Sequence, residues 1–496
     1  MLNKKSKGDF MSKMRIKAVF VFFMIVLFLL SVHLFNISQI KQASYTMSAS
    51  DQRRQTKTIK IFRGCIYDMS MIPLVDNSFG ENLLSEKFVT KSLARYGENP
   101  IAHHVLGYTI SDGTGGAGIE KAFDKYLSSN VYQSVTYMVD ARGNPIGDEL
   151  LSRSATGKIP ETNIKLTLDK KVQKIAEEVC DRHLTKGAVV IMDTSSFDIR
   201  AMVSRPVFSQ NDITKSFESA DSPLFNRALG SYNAGSIFKI ITSSAMIKAG
   251  RSGHKADCRG FFTVDGRDFL CNKETGHKMT DFVSGFASSC NTFFYSGSAG
   301  LGKDIENLAK AFGLGSCLLN CDIGESSGFV PTRDRYYPRE EANLAIGQGE
   351  ILITPLQAAN MACIIANGGV KKRVNLADSL VDKEGTIIKN LRREGSERII
   401  SEKDALFIKE MMGEVVMSGT GTLAKSEKVK ISGKTGSAES GWESGGETMV
   451  HGWFCGFFPS DNPKYAMAVF CENGKSGGEV CAPIFREIAE KLAENF

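Results

Sequence analysis

The sequence predicts an α/β fold: one antiparallel sheet flanked by helices, preceded by a single membrane-spanning helix and a small β-rich module. Three observations predict it. A basic tail runs into 18 apolar residues, the next hundred or so residues break into short runs with turn signals, and strand patterns stand at both ends of the remaining chain with helical patterns between them.

The elements follow in order. Residues 1–17, a cytoplasmic tail in this reading, hold Lys4, Lys5, Lys7, Lys13, Arg15 and Lys17 against Asp9, which accounts for five of the six net positive charges. The body is therefore close to neutral, which excludes a basic nucleic-acid-binding surface. Residues 18–35 would form a helix of about 27 Å, long enough to span a hydrocarbon core. Cations before this run, and no second long apolar run after it, put the N-terminus in the cytoplasm and the body outside the cell. His33-Leu-Phe-Asn36 lacks the small residues of a cleavage site, so 18–36 reads as an uncleaved anchor.

Residues 38–54 are polar and read as a linker or a first strand. Segment 37–161, interrupted by Gly113-Thr-Gly-Gly116 and Gly143-Asn-Pro145, reads as a β-rich pedestal or interaction module. Segment 162–496 reads as the catalytic domain. There Val172, Ile175, Ala176 and Val179 mark an amphipathic helix, while 188–192 and 200–203 read as buried strands. A strand at 465–471 and a helix at 483–492 close the chain, and the early and late strands are expected to pair in one antiparallel sheet.

Three short runs carry the chemistry: Ser236-Ile-Phe-Lys239, Ser289-Cys-Asn291 and Lys434-Thr-Gly436. Each is weak alone. S-x-x-K recurs at Ser38 and Ser252, S-x-N at Ser128, Ser209, Ser231 and Ser460, and K-[ST]-G at Lys475. Context separates them. Ser236 follows Asn233-Ala-Gly235 and opens an apolar pattern through Ile237, Ile240, Ile241, Ala245 and Met246, a helix ending near Gly250. Ser236 and Lys239 then lie one turn apart on the same face. Lys434 follows Val429, Ile431 and Gly433, a strand whose end presents Lys-Thr-Gly-Ser at an edge, whereas Lys475 sits in a turn.

A serine hydroxyl needs a neighbouring base, and with no histidine in these runs Lys239 is the candidate. It serves only if desolvation and a nearby cation depress its pKa, and Lys434 is the expected cation. Ser289 and Asn291 would relay a proton to the leaving amine and orient the substrate amide. Thr435 and Lys434 suit a substrate carboxylate, the backbone N–H groups of Ser236 and Ser437 suit an oxyanion, and Gly436 would let a substrate strand lie close.

These runs mark β-lactamases and penicillin-binding proteins, and the chain resembles a class B penicillin-binding protein. The resemblance also rests on Arg63-Gly-Cys-Ile-Tyr-Asp68, His104-Val-Leu-Gly-Tyr108, Gly118-Ile-Glu120, Leu166-Thr-Leu-Asp169, Gly187-Ala-Val-Val190 and Asn226-Arg-Ala228. It continues through Gly347-Gln-Gly-Glu350, Thr354-Pro-Leu-Gln357, Gly419-Thr-Gly421 and Trp453-Phe-Cys-Gly456. It implies the penicillin-binding, serine β-lactamase-like transpeptidase fold and a membrane-anchored D,D-transpeptidase. Ser236 would form an acyl-enzyme on the D-Ala-D-Ala of peptidoglycan stem peptides and be trapped by β-lactam antibiotics. It also implies a membrane glycosyltransferase partner of the SEDS type. The chain departs from the pattern at Met69-Ser-Met71, where R-N-G is usual, at Cys290 in the second run, and at Ser437-Ala-Glu439 after the third.

A β-lactamase or β-lactam sensor shares the three runs. A class A hydrolase needs glutamate and asparagine in E-x-x-x-N spacing, which neither Glu340 nor Glu341 has relative to Asn343, and the long N-terminal part is superfluous for it. A non-catalytic wall-assembly scaffold is a third reading, disfavoured by the intact catalytic groups.

Eleven cysteines cannot all pair within the chain. Such a number outside the membrane points to a cell surface that is not strongly oxidising. Cys258 and Cys271 flank a hairpin-like stretch and are candidates for a bridge, while Cys290 reads as a small buried side chain. Cys317 and Cys321 lack partners for a zinc site, so neither a metal nor a cofactor is expected. None of the seven histidines has an evident catalytic partner, and His451 is expected to be structural.

Overall fold

The computed structural model describes residues 5–75, 78–83, 90–93, 95–97, 99–110, 113–128, 132–144, 146, 151–155, 161–210, 212–444 and 447–494. Lys4 of the basic tail and Pro145 of the second turn signal lie outside them. Packing divides the chain into two units: one of residues 1–61, 80–92 and 132–157, the other of residues 62–79, 93–131 and 158–496. Segment 37–161 thus contributes to both.

In the first unit a helix spans Lys5–Phe35, and Met11–Ile40 is the one segment among the described residues that is long and apolar enough to cross a membrane. A π-turn, Asn36–Ile40, leads into a second helix, Gln42–Arg53. The stretch read as linker or strand is therefore mostly helical. No Gly or Pro interrupts it, and a polar composition does not itself oppose a helix. Strand Arg54–Phe62 follows and pairs antiparallel with Tyr132–Met138, the centre of a five-stranded sheet.

The second unit is organised by a five-stranded sheet in the order Ile199–Arg205, Gly187–Asp193, Tyr465–Cys471, Glu447–Phe458, Ser432–Ser444. All its pairings are antiparallel, and the early and late strands meet as expected, Val189 opposite Val469. Side chains alternate between two cores, as the pleat requires. Val189, Ile191, Met467 and Val469 pack with helices Lys170–His183 and Ala482–Ala493. Ala188, Val190, Ala468 and Phe470 face the other core, which contains helix Pro355–Ala366. That helix is buried from Pro355 to Ile365, so it is apolar all round rather than amphipathic.

Several sequence landmarks serve this architecture. Thr354 and Gln357 form a capping box with Pro355 at the first helical position, which satisfies the free N–H groups of the buried helix. Asp169 caps helix Lys170–His183 by accepting from Lys171 and Val172. Arg63, Arg95 and Glu120 form a buried ion triad, with Nε–O distances of 2.6 and 2.5 Å to the Glu120 carboxylate.

Candidate active site

Ser236 lies in a 3₁₀ turn, Gly235–Phe238, that passes into helix Lys239–Lys248; the chain then leaves through Gly250 at φ 77°. The sequence pattern called for a helix here, and its first turn is tightened. Gly235 explains why. It adopts φ 55°, its N–H donates to Gly347 O at 2.9 Å, and a Cβ there would stand 2.7 Å from Ser437 O. Only glycine allows the turn to sit so close to the sheet. Ser236 is left half-buried, and among the described residues its Oγ has no hydrogen-bond partner.

Lys239 is fully buried. Its Nζ donates to Asn291 Oδ1 at 2.7 Å, Ser289 O at 2.8 Å and Ser289 Oγ at 3.1 Å. The first two runs are thereby wired together. Burial lowers the Lys239 pKa to about 7. Ser289 stands between helices Phe282–Ala287 and Asn291–Gly297 at φ 54°, a left-handed conformation that costs a non-glycine residue about 1–2 kcal/mol. That turn delivers both its carbonyl and its hydroxyl to Lys239.

The third run lies near the start of Ser432–Ser444, the edge strand of the sheet, rather than at a strand end. Lys434 is fully buried, and its Nζ donates to Thr435 O at 3.0 Å. Burial holds its pKa well below the ordinary lysine value, and the charge of Lys239 lowers it further. Desolvation, one of the two expected causes, is the leading one for both lysines, and the repulsion between them acts on the pair. Gly436 also serves the fold. A Cβ there would meet Ile237 Cγ2 at 3.0 Å and Trp453 Cβ at 3.2 Å, so its bareness seats the strand against the serine turn. Trp453 is tied to the same place by its Nε1–H bond to Asn233 O at 3.0 Å.

A cleft of about 270 Å³ is lined by Ser236, Ser289, Asn291, Thr435, Gly436 and Ser437 from the three runs, together with Asn272, Ile346, Gln348, Thr420, Ser476 and Gly478. Lys239 and Lys434 lie behind this lining. Sequence reasoning missed the second six. Thr420, whose Oγ1 lies 2.5 Å from Thr435 Oγ1, and Gln348 sit within quoted landmarks and were legible as neighbours of the site. Asn272 had no signal. Ser476 belongs to the rival Lys475-Ser476-Gly477, which is a turn as read but one that borders the cleft: Gly477 N–H donates to Ser437 Oγ at 3.4 Å. His451 packs against Tyr232 and Phe470 at centroid distances of 5.5 and 5.4 Å and is absent from the lining.

Among the described residues no carboxylate lines the cleft. Glu340 accepts from Tyr337 N in a capping box, and Glu341 accepts from Gly300 and Gly302 N–H groups. Both are committed to local structure elsewhere.

Cys258 and Cys271 both carry free thiols, so they are not bridged to each other. Instead Cys258, Cys271, His277 and Cys290 bring their ligand atoms within 4.8 Å of one another. This corrects the reading that no metal-ligand set exists. The set escaped notice because its members stand singly, separated by 12, 5 and 12 residues, with none of the paired spacing of familiar zinc motifs.

Fold and cleft define the class of serine acyltransferases in which S-x-x-K, S-x-N and K-T-G meet at the edge of one antiparallel sheet. The chain belongs to the penicillin-binding protein transpeptidase family: residues 187–490 match the family model described as the penicillin binding protein transpeptidase domain. It is 31% identical over 418 residues to Stage V sporulation protein D of Bacillus subtilis, covering 80% of this chain and 63% of that protein. It is 30% identical over 450 residues to peptidoglycan D,D-transpeptidase PbpA of Mycolicibacterium smegmatis, covering 84% and 88%. Among solved structures, Pseudomonas aeruginosa PBP2 in complex with WCK 5153 matches with a TM-score of 0.69 at 25% identity, covering 88% of this chain and 96% of that one. PBP3 of Mycobacterium tuberculosis complexed with ampicillin has the same fold, with a TM-score of 0.71 at 24% identity over 89% and 96%.

Proposed function

We propose that the chain is a membrane-anchored peptidoglycan D,D-transpeptidase acting through Ser236. The observation that carries this reading is a fully buried Lys239, its pKa near 7, bonded to Ser289 and Asn291 behind a cleft that contains Ser236. Ser236 Oγ attacks the carbonyl of the penultimate D-Ala while its proton passes to neutral Lys239. The developing oxyanion is held by the N–H groups of Ser236 and Ser437. The proton moves from Lys239 through Ser289 to the nitrogen of the terminal D-Ala as the C–N bond breaks and D-Ala leaves. The amine of a second stem then attacks the ester, its proton returns by the same groups, and Ser236 is restored. Asn291 orients the substrate amide, and the hydroxyls of Thr435 and Ser437 receive the terminal carboxylate, with Lys434 supplying positive potential from behind the strand.

A β-lactam presents the same amide, but its leaving nitrogen stays tethered to the acyl group and blocks the acceptor. Among the described residues the cleft lining offers no carboxylate to activate water in its place, which favours a long-lived adduct over a β-lactamase. Membrane-bound wild-type protein is expected to form a stable adduct with fluorescent penicillin, and Ser236→Ala is expected to form none. An adduct on Ser236→Ala defeats the assignment, while rapid turnover on wild type favours the hydrolase.

The basic tail and the single apolar segment support an anchor with the N-terminus in the cytoplasm and the catalytic unit outside, and the strands after the anchor would serve as its pedestal. A solved structure of similar fold is that of a peptidoglycan synthase complex that coordinates polymerization and crosslinking. By analogy this chain would work beside a membrane glycosyltransferase of the SEDS type.

A further inference from the structure

We propose that Cys258, Cys271, His277 and Cys290 form a tetrahedral zinc site that fixes the second catalytic run. The argument begins with distances. Zinc binds sulfur at about 2.3 Å and imidazole nitrogen at about 2.0–2.1 Å, so a tetrahedral site has edges of about 3.8 Å between sulfurs and about 3.6 Å from sulfur to nitrogen. Here Cys271 Sγ lies 3.8 Å from Cys290 Sγ, and His277 Nδ1 lies 3.5 Å from Cys271 Sγ and 3.6 Å from Cys258 Sγ. A disulfide would need about 2.05 Å between two sulfurs and would leave the third sulfur and the imidazole unexplained.

The surrounding fold is built to converge these atoms. Strand Ala256–Cys258 pairs with Lys278–Thr280, setting Cys258 opposite the residue after His277. The hairpin Phe261–Val264 with Arg267–Leu270 returns the chain to Cys271. Gly276, at φ 72°, lies so close that a Cβ would collide with Cys258 O. All three cysteines are buried, and His277 is half-buried. The sulfurs also have outer partners of the kind that metal-bound thiolates take: Thr292 Oγ1 lies 3.4 Å from Cys258 Sγ, and the N–H groups of Lys273, Asn291 and Thr292 point at Cys271 Sγ. Three thiolates and one imidazole suit zinc better than calcium or magnesium, which take oxygen.

The position gives the metal a task. Cys290 stands between Ser289 and Asn291, and Asn291 Nδ2 donates to Leu270 O at 3.2 Å beside Cys271. The metal would clamp this hairpin to the start of helix Asn291–Gly297 and so hold the two groups that grip Lys239. Its four ligands are positioning residues. Binding replaces three thiol protons by one Zn²⁺ and leaves the imidazole neutral.

Full-length protein purified in detergent without chelator is expected to carry about one zinc per chain, and the metal-free protein reconstituted with Co²⁺ is expected to show the intense visible and near-ultraviolet bands of tetrahedral cobalt thiolate. Cys258→Ser and His277→Ala should lose the metal and slow β-lactam acylation at least tenfold, though neither residue lines the cleft. His277→Cys should restore both, and Cys317→Ser, an exposed cysteine elsewhere, should change neither. Metal content is read without any activity, so this site can fail or stand independently of the transpeptidase reading. Wild type with less than about 0.1 zinc per chain and no cobalt–thiolate bands overturns the proposal, as does a Cys258→Ser protein that binds zinc as tightly as wild type.

Discussion

In the proposed mechanism Lys239 acts as the base because of where it is, and burial is the decisive cause. An ordinary lysine is protonated at neutral pH, while this one, fully buried and brought to a pKa of about 7, is half neutral there. The groups that face it are Lys434 across the site and the thiols of Cys271 and Cys290, besides the neutral Ser289 and Asn291. The sign follows directly: the active base is the neutral form, so the rate of β-lactam acylation should rise with pH through about 7 and level off above it, read by stopped-flow with a chromogenic cephalosporin. Lys239→Ala should lower that rate by about 10²–10⁴ and abolish the rise. Lys239→Arg should not rescue it, because a guanidinium does not release its proton. A wild-type profile flat from pH 5 to pH 9 would remove Lys239 from the role of base. The identity of this lysine was legible in the spacing of Ser236 and Lys239. Desolvation was expected as a cause, but its completeness was not legible, since sequence shows a second cation and not the full burial of Lys239.

Elements in this fold are held by approaches that only backbone can make. A continuous apolar run and the 3.6-residue pattern found strand Tyr465–Cys471 and helix Lys170–His183 directly, because the strand buries both faces and the helix one. Periodicity missed the 3₁₀ turn at Gly235–Phe238, because that tightening is imposed from outside by Gly347 and by the edge strand. Gly347 adopts φ 71°, its Cβ would collide with Gly235 O, and it would stand 2.5 Å from Phe238 Cβ. Gly347→Ala must therefore push the serine turn away from Ser437. A shift of about 1 Å at a reacting group costs on the order of 10²-fold in rate. Acylation should fall by about that factor while the thermal midpoint moves by only a few degrees, the ordinary effect of about 1 kcal/mol. A variant that acylates at the wild-type rate would mean that the turn tolerates displacement and that Gly347 serves the fold alone.

At the scale of the molecule, charge and hydropathy were readable because they are sums over sequence, whereas the joining of distant landmarks was not. Nothing in Arg63-Gly-Cys-Ile-Tyr-Asp68 announces that Arg63 will share the Glu120 carboxylate with Arg95, and the four single ligands around Cys290 were equally silent. The anchor is the opposite case. Five of six net charges precede one apolar segment, and after it the described residues contain no other segment able to cross a membrane. A charge near the membrane centre costs several kcal/mol to move across, so clustered cations stay on the cytoplasmic side. In the proposed orientation Cys317, exposed on the second unit, lies outside the cell. A membrane-impermeant maleimide applied to intact cells should label the wild-type chain, and Cys317→Ser should remove most of that signal. Ser6→Cys added to the Cys317→Ser background should be labelled only after the cells are lysed. Labelling of Ser6→Cys in intact cells, with Cys317 protected in wild type, would reverse the orientation and put the serine cleft on the side where no peptidoglycan is cross-linked.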